Sequence, residues 1–147
     1  MRLSPTGLDL MKRRNGLTLK ARQDPAGLWF IGFAHYGDVQ EGMEITQAEA
    51  EAKLEYEIAR YETHLASMLE RPVSQGQWDA LLLLIFDYGL ARIRSSILIR
   101  HVNAGEFERA AAEFCKWVQV RGRPDIQMVK RREMERHLFL QLSLIHI

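Results

Sequence analysis

Three polar side chains near the amino terminus differ in the chemistry open to them. The carboxylate of Asp24 can stabilise positive charge or orient a water molecule, and the imidazole of His35 can donate or accept a hydrogen bond. Asn15 has the shape of a carboxyl group, but its amide cannot donate a proton as an acid. Asp24 also stands beside Pro25, where a carboxylate commonly caps a turn, and on these residues alone we favour that role.

The predicted elements place these residues around a small hairpin. Ser4 and Pro5 predict a helix start, and Asn15-Gly16 predicts its end, because this pair suits positive φ. Residues 17–22 and 28–34 read as two short strands, separated by a turn-forming segment at 23–27 that contains Asp24. Asn15 is therefore expected at the end of a helix, directly ahead of the hairpin.

The remainder of the chain reads as helix. A capping box at residues 46–49 opens a long amphipathic helix. Its apolar positions recur at spacings of four and three, at Leu54, Ile58, Tyr61, Leu65 and Met68. A second capping box, at residues 74–77, opens a helix over residues 75–88 that is apolar nearly all round, which is typical of a buried central helix.

Three further helices complete the predicted α+β architecture. The first starts at Ser95 or Ser96 and ends near residues 103–105, and the others span 106–117 and 126–140. Gly122 and Pro124 predict a loop between the last two. We expect one domain over residues 1–141, with a hairpin lobe at about 15–45 and a helical lobe at about 70–141.

Composition excludes several classes of function. The 147 residues are 47% hydrophobic and 27% charged, with a net charge of +1, which predicts an ordinary globular protein and no nucleic-acid partner. The apolar run at 80–86 is too short to span a membrane, and residues 1–14 lack a signal-peptide core. We therefore expect a monomer without membrane contact, kept in the cytoplasm of the cell that makes it unless another factor releases it.

Cysteine and histidine usage predicts neither a disulfide framework nor a metal site. The single Cys115 has no internal partner, and between Phe114 and Trp117 it reads as a small buried residue. The histidines at 64, 101 and 137 share no ligand spacing, so no metal and no cofactor are expected. Arginine-rich clusters, such as residues 92–94 and 121–123, read as solvated faces that would also suit an acidic partner.

Residues 10–36 read LMKRRNGLTLKARQDPAGLWFIGFAHY. This stretch resembles the amino-terminal signature of phage-type lysozymes (endolysins): a helix ending in Phe-Glu-Gly, an Asp after the first strand, then Thr-Ile-Gly-Tyr-Gly-His-Thr. Later blocks resemble the family as well, in the same order: QWDAL at 77–81, FDYG at 86–89, SSIL at 95–98, NAGEF at 103–107 and RREME at 131–135. The resemblance covers roughly residues 4–141 and implies a lysozyme-like fold, with a small hairpin lobe and a larger helical lobe joined by a long helix.

The resemblance implies a muramidase whose catalytic motif is degenerate. In the family, a Glu is the general acid, an Asp stabilises developing oxocarbenium charge and a Thr helps to hold water. These positions are Asn15, Asp24 and Phe30 here. His35 and Asp87 occupy positions that the family places at its substrate cleft, although the family's His mostly braces the hairpin. Asp87 is also a remote candidate for a substitute acid.

The missing acid leaves three functions open. The chain is a weak or inactive muramidase, a lysozyme fold that binds peptidoglycan without cutting it, or a factor that binds a host protein, such as a phage-encoded inhibitor of host defence. The aromatic residues Phe30, Phe33 and Tyr36 near the expected cleft motivate the last alternative. Residues 142–147 resemble a translated sequencing adapter and are expected to be a non-native tail.

Overall fold

A computed structural model describes residues 1–141, and the predicted α+β fold class is confirmed. The described residues form two compact units: Pro5–Arg60, and Met1–Ser4 together with the described residues from Tyr61 onward. In the described part, no helix is both long and apolar enough to cross a membrane. The predicted non-native tail lies outside the described residues.

The unit Pro5–Arg60 contains one helix, a three-stranded antiparallel sheet and the start of a long helix. Helix α1 spans Pro5–Asn15, strands β1, β2 and β3 span Thr18–Gln23, Trp29–Gly32 and His35–Tyr36, and helix α2 spans Gln47–Met68. The prediction of a second strand running to residue 34 was wrong. Gly32 and Ala34 both have positive φ, at 67° and 55°, so the chain turns there and returns as β3.

Helix α2 begins and packs as its sequence pattern predicts. The backbone N–H of Glu49 donates to Thr46 Oγ1 at 3.1 Å, and that of Thr46 donates to Glu49 Oε1 at 3.1 Å, so the capping box is formed. The apolar positions of the helix, Leu54, Ile58, Leu65 and Met68, are buried. Tyr61, the remaining position of the stripe, is partly buried.

The other unit is helical around one apolar core. Its helices are α3 at Gln75–Tyr88, α4 at Leu90–Arg94, α5 at Ile97–Asn103, α6 at Phe107–Phe114 and α7 at Ile126–Leu140. Helix α3 is the buried central helix, and Ser74 with Gln77 forms its predicted capping box. Phe114 and Phe139 pack in the same core, with ring centroids 5.3 Å apart.

Three predictions for this unit were wrong, and one helix, α4, was not predicted. Helix α6 ends at Phe114 rather than at residue 117. A short hairpin of β4 (Gln119–Val120) and β5 (Arg123–Pro124) replaces the predicted loop. Cys115 is exposed rather than buried, because it follows the last residue of α6 as the helix cap instead of lying on its apolar face.

Candidate functional site

Asn15 is the last residue of α1, as the sequence predicted, and its amide is turned back on its own helix. Asn15 Nδ2 donates a hydrogen bond to the backbone carbonyl of Met11 at 2.8 Å. Gly16 follows with φ 65°, which ends the helix, and its N–H donates to Lys12 O at 2.9 Å. The side chain at this position therefore acts as a hydrogen-bond donor, and it has no ionisable proton.

Asp24 organises the turn between β1 and β2. Its Oδ1 accepts hydrogen bonds from the backbone N–H groups of Ala26 at 2.8 Å and Leu28 at 2.9 Å. This is the turn geometry that an aspartate next to Pro25 favours. Asp24 Oδ2 accepts a further bond from the hydroxyl of Tyr36 at 3.0 Å.

Phe30 and Tyr36 are directly opposite each other on β2 and β3. Their ring centroids lie 5.7 Å apart with an interplanar angle of 39°, within the range of favourable aromatic pairs. Burial raises the pKa of the Tyr36 phenol, and its hydrogen bond to Asp24 and the Asp24 charge raise it further. The phenol is therefore protonated, and able to donate, at neutral pH.

His35 lies beside this pair on β3, where its ring Nδ1 forms a hydrogen bond with Oε1 of Glu57 on α2. Both side chains are partly buried. The pair ties the sheet to the long helix within the unit Pro5–Arg60. This geometry supports a bracing role for His35, while a contact of His35 with a substrate stays a prediction.

Asp87, the predicted substrate-binding residue near the end of α3, is held by two arginines of α7. Arg131 Nη1 lies 2.7 Å from Asp87 Oδ1, and Arg132 Nη2 forms an ion pair with Asp87 Oδ2. Arg132 is fully buried and also contacts Glu135 Oε1 through Nε at 2.8 Å. Asp87 is thus part of a buried charge network, and its contact with a substrate stays a prediction.

The pKa values of Arg132 and of the adjacent Tyr88 are shifted in this network. Burial lowers the pKa of Arg132, but the charges of Glu135 and Asp87 and their hydrogen bonds outweigh it, so the pKa is raised. Arg132 also lies over the ring of Tyr88, 5.4 Å from its centroid. Burial is the largest cause that raises the pKa of Tyr88, and it is only partly offset by Arg132 and Arg92.

The contacts divide the predicted site residues into separate groups. Asp24 and Phe30 meet through Tyr36, while Asn15 bonds within α1, His35 bonds to Glu57, and Asp87 belongs to the other unit. Among residues 1–141, no cluster of three or more His, Cys, Asp or Glu side chains could hold a metal ion.

Sequence reasoning missed Glu57 and the partners of Asp87. The spacing of Arg132 and Glu135, three residues apart on a helix, is a recognisable signal for an ion pair. No comparable local signal connects Asp87 with α7, because the two are far apart in sequence. Tyr36 was singled out only as a bulky aromatic residue, and its bond to Asp24 depends on the third strand, which was not predicted.

Comparison with known proteins identifies one family, and the match extends along almost the whole chain. The family model described as phage lysozyme matches residues 12–135. The endolysin of Acyrthosiphon pisum secondary endosymbiont phage 1 is 39% identical, over 95% of this chain and 98% of that protein. The endolysin of Salmonella phage P22 is 34% identical, over 95% of this chain and 99% of that protein.

Solved structures are similar over the same extent. The muramidase domain of SpmX from Asticaccaulis excentricus superposes with a TM-score of 0.86 at 30% identity, covering 96% of this chain and 99% of that one. A mutant of P22 lysozyme superposes with a TM-score of 0.82 at 34% identity and the same coverage. The family match, the relatives and the shared fold together show that this chain belongs to the phage lysozyme family.

Proposed function

We propose that this protein is a muramidase-type member of the phage lysozyme family that acts on peptidoglycan but hydrolyses it weakly or not at all. The bond concerned joins N-acetylmuramic acid to N-acetylglucosamine. Membership of the family supports the substrate class. The proposed loss of activity rests on one observation. At the position that corresponds to the family's general acid, the chain has the amide of Asn15, which donates a hydrogen bond to Met11 O.

The expected loss follows from the chemistry of glycoside cleavage. The leaving oxygen must receive a proton as its bond to the sugar breaks, and general acid catalysis of this kind is worth ~10²–10⁴-fold in rate. An amide can hydrogen-bond to that oxygen but cannot transfer a proton to it. Because catalytic groups that act as a unit fail together, Asp24 alone restores little of this rate.

Asp87 does not supply a substitute acid in this proposal. Both of its carboxylate oxygens are held in ion pairs with arginine side chains of α7. A general acid must instead place its carboxyl group within hydrogen-bond reach of the leaving oxygen. We therefore propose a structural role for Asp87.

The test is the rate of turbidity loss when purified protein is added to permeabilised Gram-negative cells. Asn15→Glu returns the acid, and Asn15→Glu with Phe30→Thr also returns the family's hydroxyl. Asn15→Gln is the matched control, because it has the length of glutamate without its proton. We expect lysis from the glutamate variants, and little from the natural chain or the Asn15→Gln control.

The outcomes separate three explanations. Fast lysis by the natural chain would contradict the proposed loss of activity. Lysis by the glutamate variants alone supports a site that lacks only its acid. If every variant is folded by circular dichroism and none lyses cells, the site has changed beyond its acid.

A second candidate function is binding of peptidoglycan, or of a host protein, without hydrolysis. It is favoured by the aromatic pair of the partly buried Phe30 and the exposed Tyr36 beside the Asp24 carboxylate, because an accessible ring next to a hydrogen-bonding group suits recognition. Tyr36 is 45% exposed. A pull-down with purified sacculi tests the peptidoglycan case, and protein that stays in the supernatant would rule it out.

A further inference from the structure

Tyr36 and Phe30 are two aromatic residues that meet only because of the third strand. They are directly opposite on β2 and β3, and their rings are in contact at a centroid distance of 5.7 Å. Cross-strand aromatic pairs stabilise a sheet and hold each other's side-chain positions. The ring of Phe30 therefore supports the ring of Tyr36 in the position that brings its hydroxyl to Asp24 Oδ2.

We infer that Tyr36 is a positioning residue that occupies the Asp24 carboxylate and competes with a bound sugar or water for it. This inference rests on the proposed function, since it concerns the same carboxylate. The turn amides of Ala26 and Leu28 hold Oδ1, and the Tyr36 hydroxyl holds Oδ2. A ligand that needs Oδ2 must displace this hydroxyl or share the oxygen with it.

The hydrogen bond from Tyr36 should make the Asp24 carboxylate less effective. A donor placed on a carboxylate withdraws part of the negative charge that would otherwise stabilise an oxocarbenium ion. It also occupies a position from which the carboxylate could orient water. Removing the hydroxyl while keeping the ring should therefore make Asp24 more effective, with no change in the packing against Phe30.

The pKa of Tyr36 provides a direct check of the contact. Burial raises this pKa most, and Asp24 adds to it through its hydrogen bond and its charge. Asp24→Asn removes the charge with little change of shape, so the pKa of Tyr36 should fall. Ring-carbon NMR of labelled tyrosine would follow it, with Tyr56 as the internal reference because its side chain is 72% exposed.

The competition itself is tested by Tyr36→Phe in two settings. The first is the turbidity assay in the Asn15→Glu background, with Tyr56→Phe as the matched loss of one phenol hydroxyl. We expect Tyr36→Phe to raise the rate by about three- to tenfold, the net effect of one typical hydrogen bond in a protein, and Tyr56→Phe to leave it unchanged. The second is titration of the natural chain and of Tyr36→Phe with a soluble N-acetylglucosamine oligomer, where we expect several-fold tighter binding by Tyr36→Phe.

Each result decides between the inference and its opposite. A Tyr36 pKa that does not respond to Asp24→Asn overturns the contact. An equal or lower rate in Tyr36→Phe overturns the competition. If the Asn15→Glu background is inactive, the oligomer titration decides, and equal binding by the two chains overturns the inference while the proposed function stands. If neither chain binds the oligomer, the inference is overturned, and if the Asn15→Glu variants also fail to lyse cells, the result counts against the proposed function as well.

Discussion

Asp87 lies among groups whose charges compensate one another, and its effect on stability follows from the cost of burying charge. Its side chain is 7% exposed and contacts two arginines, of which Arg132 is fully buried. Arg132 Nη1 also donates to the carbonyl of Trp117 at 3.2 Å, so the guanidinium links α3, α7 and the segment after α6. Removing one member leaves the others with an uncompensated buried charge.

We predict that Asp87→Ala lowers the free energy of unfolding by about 3–5 kcal/mol, because it leaves Arg132 short of one of its two carboxylate partners. Urea denaturation followed by circular dichroism would measure this. Asp9→Ala is the control, since it also removes a carboxylate paired with arginine, but on the surface of α1, where the pair is worth about 0–1 kcal/mol. Similar losses in both variants would contradict the importance of burial.

At the scale of helices and strands, the packing of α3 against α7 shows why one residue type is required at a close approach. Gly76 lies in the first turn of α3, and a Cβ atom added there would lie 2.5 Å from the carbonyl oxygen of Leu138. That distance is shorter than any real Cβ contact, and the obstacle is backbone, which cannot move aside cheaply. Glycine therefore permits the close contact between the two helices.

In the variant Gly76→Ala, the higher helix propensity of alanine and the steric clash with Leu138 have opposite effects on stability. Alanine favours a helix by about 1 kcal/mol over glycine, so propensity alone predicts stabilisation. We expect a net loss of about 1–3 kcal/mol in the free energy of unfolding instead, because overpacking forces the helices apart. Lys130→Ala, at an exposed position of α7, is the control and should change stability by less than about 0.5 kcal/mol. A stabilised Gly76→Ala variant would show that the contact is not as close as described.

At the scale of the whole molecule, Tyr36 and Tyr88, whose pKa values are raised, link stability to alkaline pH. The folded state holds the phenolic protons of Tyr36 and Tyr88 more tightly than the unfolded state does. The stability that this contributes is fully present below the unfolded pKa of about 10. It is lost as the pH rises from that value through the raised pKa values of the folded state.

We therefore predict that the midpoint of thermal unfolding falls as the pH is raised above about 10, and that it falls less in the double variant Tyr36→Phe/Tyr88→Phe. Differential scanning calorimetry across this range would measure the difference. Tyr56→Phe should follow the natural chain, because Tyr56 is largely exposed. The same slope in all three proteins would mean that neither tyrosine is linked to unfolding.

Much of the helical part could be predicted because its signals are local. The bounds of α3 and α7 matched the prediction, since a residue that can cap a helix, Ser74 or Asp125, stands directly before each of them. The third strand and the β4–β5 hairpin were missed because each strand has only two residues, too few for a period to show. The exposed position of Cys115 was missed because one turn at the end of α6 decides it.

The sequence by itself determined the family and the α+β class, and it predicts which side chains stand at the family's catalytic positions, including the amide of Asn15. These follow from residue types and their order, which need no geometry. Only the tertiary structure decided what those side chains contact: Asn15 with Met11, Asp24 with Tyr36, His35 with Glu57 and Asp87 with Arg131 and Arg132. Except for the bond within α1, these pairs are brought together by strand pairing and helix packing, which depend on the whole fold.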